Sequence, residues 1–76
     1  MIYPITIKSA KDVARVSNIC AESGENVSIT YQNMTFDPRS VFGLFNIVGK
    51  QATLVGPDHM NPDSFMRLVK KLGAAV

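Results

Sequence analysis

The sequence has a single cysteine, Cys20, and a single histidine, His59. One cysteine excludes an internal disulfide, and the two residues together cannot supply a cysteine- or histidine-based zinc site. The chain also lacks a glycine-rich phosphate loop, a serine nucleophile between a strand and a helix, and a carboxylate pair of readable spacing. We therefore expect no catalytic site, no metal site and no cofactor.

Charge is also scarce, because Asp, Glu, Lys and Arg make up only 18% of the chain and the formal net charge is +2. A dedicated nucleic-acid binder usually shows a denser basic stripe, so nucleic acid is not the expected partner. No basic start precedes a long apolar run, so we expect neither a signal peptide nor a membrane anchor. With 46% hydrophobic residues, we expect one small globular domain over residues 1–76. The lone cysteine gives no sign of a disulfide-stapled secreted scaffold, so we expect the cytoplasm as its location.

Residue patterns predict the element order βαββαβα. Alternating apolar residues indicate strands, and apolar residues at helical spacing indicate helices. The predicted strands cover residues 2–8, 26–31, 34–36 and 51–56, and the predicted helices cover 10–23, 40–48 and 62–72. Pro4 fits the first strand only where its backbone has no ladder partner, near a sheet edge. The fold class is α+β, an open two-layer sandwich of four strands covered on one face by helices.

Capping and turn residues predict where these elements begin. Ser9, Ser40 and Asn61 precede the three helices, and each could accept hydrogen bonds from free backbone amides. Gln32 and Asn33 predict a tight hairpin turn, because Asn tolerates positive φ.

The short helix over residues 40–48 has two apolar sides. Its inner side carries Val41, Leu44, Ile47 and Val48, which leaves Phe42 and Phe45 together on the other side. Either the helix sinks deeply and both rings join the core, or the rings form an exposed patch that docks a partner. The sequence leaves both interpretations open.

Other candidates have simple structural explanations. Cys20 falls on the apolar stripe of the first helix, where a cysteine behaves as a small hydrophobic residue. Residues 58–61 form a polar turn before a capped helix, although a functional loop is an alternative. Four lysines could form a loose anion-attracting rim where the first helix begins and the last helix ends: Lys8, Lys11, Lys70 and Lys71.

The element order and one stretch, residues 39–44, resemble the family of the phosphocarrier protein HPr of the sugar phosphotransferase system. That stretch reads Arg-Ser-Val-Phe-Gly-Leu and is similar to the family's regulatory serine motif. The resemblance implies an HPr-like fold and places Ser40 at the serine that a dedicated kinase modifies. It also implies that partners dock on Arg39, Phe42, Phe45 and Asn46.

The sequence departs from the family at the start of the first helix. HPr proteins carry His-x-Arg-Pro there, and the matching positions are Ser9, Lys11 and Asp12. In the family's topology, His59 follows strand four at the far end of the sheet, so it cannot replace the missing histidine. A relative, Crh, similarly lacks the histidine, keeps the serine and acts as a regulatory partner of a transcription factor.

The leading hypothesis is a non-enzymatic, HPr-like regulatory or adaptor protein that docks through residues 40–48 and is switched at Ser40. Its expected partners are a transcription factor, a serine kinase or a phosphotransferase component. The first alternative is a degenerate phosphocarrier of the same system. The second is a weak anion or nucleic-acid binder that uses the lysine rim.

Overall fold

The computed structural model describes residues 1–73 and confirms the predicted order of elements. The elements are β1 (Ile2–Thr6), α1 (Ala10–Ser23), β2 (Ser28–Tyr31), β3 (Met34–Phe36), α2 (Val41–Leu44), a 3₁₀ helix (Phe45–Ile47), β4 (Gln51–Val55) and α3 (Pro62–Leu72). We call residues 40–48 the α2 segment. The predicted single helix is thus a short α-helix that continues as a 3₁₀ turn. Among the described helices, none has the length and apolar character needed to cross a membrane.

The four strands form one antiparallel sheet in the order β1-β4-β2-β3, so β1 is an edge strand. Pro4 lies opposite Thr53 in the middle of β1. The carbonyl oxygen of Met1 accepts a hydrogen bond of 2.8 Å from the amide of Gly56. Since backbone groups alternate along an antiparallel strand, the N–H and C=O groups of the odd-numbered residues of β1 point toward β4. The nitrogen of Pro4 therefore points to the free edge, which confirms the predicted edge position.

One face of the sheet packs against the helices and forms the core with them. The sheet contributes Ile5, Ile29, Phe36, Ala52 and Leu54, while α1 and α3 contribute Val13, Val16, Cys20, Phe65, Leu68 and Leu72, all buried. The other face, which we call the open face, carries the alternate residues Ile2, Pro4, Thr6, Ser28, Thr30, Thr35, Gln51, Thr53 and Val55. This arrangement confirms the α+β open sandwich.

The helix starts differ from the prediction in two of three cases. The Asn61 side chain accepts a hydrogen bond of 2.8 Å from the amide of Asp63, so that cap is confirmed. Ser9 and Ser40 hold the N-cap positions of α1 and α2, but neither side chain makes a capping hydrogen bond. The prediction that they cap through their hydroxyls is wrong.

The turn between β2 and β3 also corrects the sequence argument. The turn forms at the predicted residues, but positive φ falls on Gln32, at 55°, and not on Asn33. A two-residue turn of type II′ places positive φ on its first central residue alone. The tolerance of Asn for positive φ therefore does not explain this turn.

Candidate docking site around the α2 segment

The α2 segment is held at both ends by backbone hydrogen bonds. At its start, the amide of Ser40 donates to the carbonyl of Asp37 at 2.9 Å, and Pro38, within this turn, is buried. At its end, the amide of Gly49 donates to the carbonyl of Ile7 at 2.8 Å, beside a bridge between Ile7 and Val48. Because α1 starts three residues after Ile7, these contacts place the end of the α2 segment beside the start of α1.

The two sides of the α2 segment differ sharply in burial. Leu44 and Ile47 are 0% and 1% exposed, with Val41 and Val48 partly buried against the same core. Phe42 is 87% exposed and Phe45 is 48% exposed. The interpretation that both rings join the core is therefore wrong, and the exposed aromatic patch is present.

Gly43 lies on the α2 segment next to the ring of Phe36. A Cβ atom added at Gly43 would sit 3.4 Å from that ring and 3.9 Å from the hydroxyl of Ser40. Both distances are ordinary van der Waals contacts, so the packing at this position does not require a glycine.

Asp37 is a site residue that the sequence argument missed. Its carboxylate accepts hydrogen bonds from the Nε and Nη2 atoms of Arg39, both at 3.1 Å, and from the Arg39 amide at 3.0 Å. These side-chain and backbone hydrogen bonds lower the pKa of Asp37 below its usual value, and they raise the pKa of Arg39. The only sequence signal was the two-residue spacing across Pro38, which suits an Asx-type turn.

Ser9 and Asp12 pair with each other at the start of α1. The Ser9 hydroxyl donates a hydrogen bond of 2.9 Å to the Oδ2 atom of Asp12, and the Asp12 amide donates to the Ser9 carbonyl at 3.0 Å. A carboxylate therefore lies near the first-turn amides of the helix, where an anion is most stable. A phosphoryl group placed there would meet a like charge.

Comparisons with known proteins separate sequence from fold. No protein-family model matches the sequence, and no curated protein is significantly similar to it. Among solved structures, the histidine-containing phosphocarrier protein of Mycoplasma superposes with a TM-score of 0.72 at 8% identity, covering 100% of this chain and 98% of that one. HPr-C-His from Thermoanaerobacter tengcongensis gives a TM-score of 0.74 at 14% identity, covering 99% and 93%.

The chain has the HPr fold. At these identities the likeness establishes the fold alone, and the assignment of Ser9, Lys11 and Ser40 to HPr motif positions remains a prediction.

The order and direction of the strands also determine where His59 lies relative to Ser9. β4 runs antiparallel to β1 and ends opposite Ile2, whereas Ser9 follows the other end of β1. The exposed His59 therefore lies past the end of the sheet opposite Ser9, as expected.

Cys20 lies on the inner side of α1 within this fold. It is 1% exposed, and burial, assisted by the negative charge of Asp37, raises its pKa from an ordinary 9.0 to about 11. At neutral pH it is a protonated core thiol and a poor nucleophile.

The four lysines of the predicted rim lie before α1, in α1 and in α3. Lys8, Lys11 and Lys70 are exposed, and Val69 and Gly73 line a shallow cavity of about 370 Å³ with Thr6, so α3 does end near the end of β1. Lys71 instead lines a cleft of about 140 Å³ that also contains Ser23 and Glu25, near the other end of α1. A rim of all four lysines stays a prediction.

Proposed function

We propose that this chain is a non-catalytic adaptor with the HPr fold, working in the cytoplasm and docking a protein partner through the α2 segment. The observation that carries the proposal is the 87% exposure of Phe42 beside Phe45, on a segment whose opposite side is anchored by the buried Leu44 and Ile47. Aromatic side chains are enriched in protein interfaces and dominate their binding energy. Two exposed aromatic rings on a segment whose other side is anchored in the core are suited to docking a protein partner.

Polar groups lie in the same segment as the two rings. The Arg39 guanidinium donates hydrogen bonds of 3.1 Å to the exposed Asp37 carboxylate, and the side-chain amide of Asn46 donates to the carbonyl of Gly43 at 3.3 Å. These exposed contacts are weak, so both side chains stay available to a partner. The patch thus combines an aromatic centre with a polar surround, as protein interfaces do.

Ser40 supplies the proposed switch. It is exposed, follows Arg39 directly, and its hydroxyl is free of a capping bond. A phosphate on Ser40 would add between one and two negative charges beside the patch, which changes the electrostatic match to any partner. The kinase itself is implied only by the resemblance of residues 39–44.

The start of α1 supports an adaptor over a carrier. A phosphorylated imidazole is the group that a relay needs, and Ser9 offers only a hydroxyl bonded to the Asp12 carboxylate. A serine phosphate is a stable ester that does not pass on its phosphoryl group as a phosphohistidine does.

The test is a comparative capture experiment. Immobilised protein is incubated with cytoplasmic extract of its source cell, using the wild type, Phe42→Ser and the control Met66→Ser, which changes a 46% exposed side chain of α3. We expect a partner that the wild type and the control retain and Phe42→Ser loses, and we expect Ser40→Asp to change its retention. Equal capture by all three would contradict docking through the α2 segment.

A degenerate phosphocarrier is the second candidate, because the solved structures with this fold include phosphocarrier proteins. Acid-labile phosphate on the chain after incubation with phosphotransferase components would favour the carrier. The adaptor proposal predicts that no acid-labile phosphate is found.

A further inference from the structure

Asp37, Arg39 and Ser40 lie on one four-residue turn, which the Ser40 amide closes by donating to the Asp37 carbonyl at 2.9 Å. In such a turn the first and last Cα atoms lie less than about 7 Å apart. We propose that a phosphate on Ser40 is bound by Arg39, whose guanidinium then bridges the phosphate and the Asp37 carboxylate and is withdrawn from the docking surface. This role of Arg39 depends on the proposed function, which places the switch at Ser40.

The Arg39 guanidinium has hydrogen-bond donors left over for a phosphate. It carries five N–H groups in a planar fork. Its Nε and Nη2 atoms each donate to the Asp37 carboxylate at 3.1 Å, which occupies one edge of the fork. Five donors minus these two leave three, two on Nη1 and one on Nη2, and no hydrogen bond within residues 1–73 uses them. This second edge matches two phosphate oxygens, as in the bidentate pairs that arginine forms with phosphate.

Charge requires a cation between Asp37 and a phosphorylated Ser40. The phosphate would add between one and two negative charges on the turn that already carries the Asp37 carboxylate. Two anions at this separation repel each other, and a guanidinium between them offsets the repulsion. Arg39 is the only basic residue between Arg15 and Lys50 in the sequence, and Lys50 follows the other end of the α2 segment. The side chain already paired with Asp37 is therefore the one suited to this role.

Exposure leaves the three side chains free to rearrange. The side chains of Arg39 and Asp37 are 55% and 51% exposed, so turning the guanidinium toward Ser40 costs no core packing. Ser40 is exposed and its hydroxyl makes no capping hydrogen bond, so a phosphate there displaces no contact. Without phosphate, the second edge of Arg39 is open to a partner of the α2 segment. Phosphorylation thus removes hydrogen-bond donors from the docking surface as well as adding charge.

Titration of the phosphate by ³¹P NMR tests the proposal on the full chain, synthesised chemically with phosphoserine at position 40. A guanidinium bonded to the dianion lowers its second pKa, which is ordinarily about 6. We expect this pKa to be about 0.5 unit lower in the wild-type sequence than in Arg39→Gln. Lys50→Gln is the matched control, because it removes the same charge at an exposed residue, and it should change the pKa by less than about 0.1 unit at physiological ionic strength. Equal values for the wild type and Arg39→Gln, or equal effects of Arg39→Gln and Lys50→Gln, overturn the proposal.

The Nε–H resonance of Arg39 tests the bridge itself. Because Nε faces Asp37 with and without phosphate, this resonance should stay in place on phosphorylation and move in Asp37→Asn. A large movement on phosphorylation would show that Arg39 leaves Asp37, which overturns the bridge.

The two NMR measurements need neither a kinase nor a docking partner. If the phosphate pKa is lowered by Arg39 but Phe42→Ser captures the same proteins as the wild type, the bridge holds and docking through the α2 segment fails. If Phe42→Ser loses a partner while the phosphate pKa is the same with and without Arg39, docking holds and the bridge fails.

Discussion

The start of α1 and the α2 segment are neighbours that differ in what they leave available to another molecule. They are joined through Ile7, whose carbonyl accepts the Gly49 amide just before α1 begins. At the start of α1, the polar groups of Ser9 and Asp12 are bonded to each other. In the α2 segment, the buried side is satisfied by the core and the outer side leaves Phe42 almost wholly in water. The difference shows that one backbone framework can pair the polar groups at one site and leave an aromatic side chain in water at the next.

The largest expected effect concerns phosphoryl transfer to the α1 side of this comparison. Incubation with enzyme I of the phosphotransferase system and labelled phosphoenolpyruvate should leave this chain unlabelled, whereas an HPr with its histidine becomes fully labelled. Ser9→His alone should also stay unlabelled. The Asp12 carboxylate repels a phosphate, and the Lys11 ammonium lacks the bidentate hydrogen bonds with which an arginine guanidinium would orient it. Stoichiometric label on the wild type would show that the start of α1 is a working site after all.

Stability changes test the two sides of the α2 segment. Leu44 is 0% exposed, so Leu44→Ala should lower the free energy of unfolding by about 2 to 5 kcal/mol. Phe42→Ser should change it by at most about 0.5 kcal/mol, because its ring is already in water. Phe45 is half-buried, so Phe45→Ser should lower the free energy of unfolding by about 1 kcal/mol.

Urea unfolding of the three variants measures these differences. If Phe42→Ser were as unstable as Leu44→Ala, the ring would be structural and the contrast between the two sides of the segment would fail.

The free energy of unfolding at alkaline pH tests whether the Cys20 thiol, on the inner side of α1, is buried and unreactive. The folded thiol has a pKa of about 11 against an ordinary 9.0, so the unfolded state releases its proton first as the pH rises. Stability from this group is complete below pH 9 and declines through pH 11, by about 3 kcal/mol for such a shift. Unfolding free energies measured across this window should fall more steeply for the wild type than for Cys20→Ala. Equal slopes, or rapid reaction of the native thiol with a thiol reagent at neutral pH, would contradict a buried and inert Cys20.

The smallest effect compares two residues at helix starts. Asn61 makes its capping hydrogen bond, so Asn61→Ala should lower stability by about 1 kcal/mol. Ser40 makes none, so Ser40→Ala should change stability by less than about 0.5 kcal/mol. Thermal melts of both variants in parallel give the comparison. A larger loss for Ser40→Ala than for Asn61→Ala would mean that Ser40 supports the fold and is less free to act as a switch.

The sequence predicted the position of each element well because burial has a period that can be counted. Alternation identified the strands, and α1 has the predicted bounds, Ala10–Ser23. Side-chain hydrogen bonds were predicted less well, since a hydroxyl has several partners within reach. Ser9 bonds to the carboxylate of Asp12 where a backbone amide was expected, and the Arg39 partner, Asp37, was not anticipated.

By itself, the sequence determined the element order, the edge position of Pro4 and the lack of a histidine at the start of α1. These follow from residue identity, the fixed φ of proline and local periodicity. The tertiary structure alone decided whether Phe42 and Phe45 are core or surface, because both sides of the α2 segment are apolar and only the depth at which it packs distinguishes them. It also assembled the open face, since register across β1, β4, β2 and β3 brings distant residues side by side. Long-range pairing of this kind depends on which strands meet, and no local pattern records it.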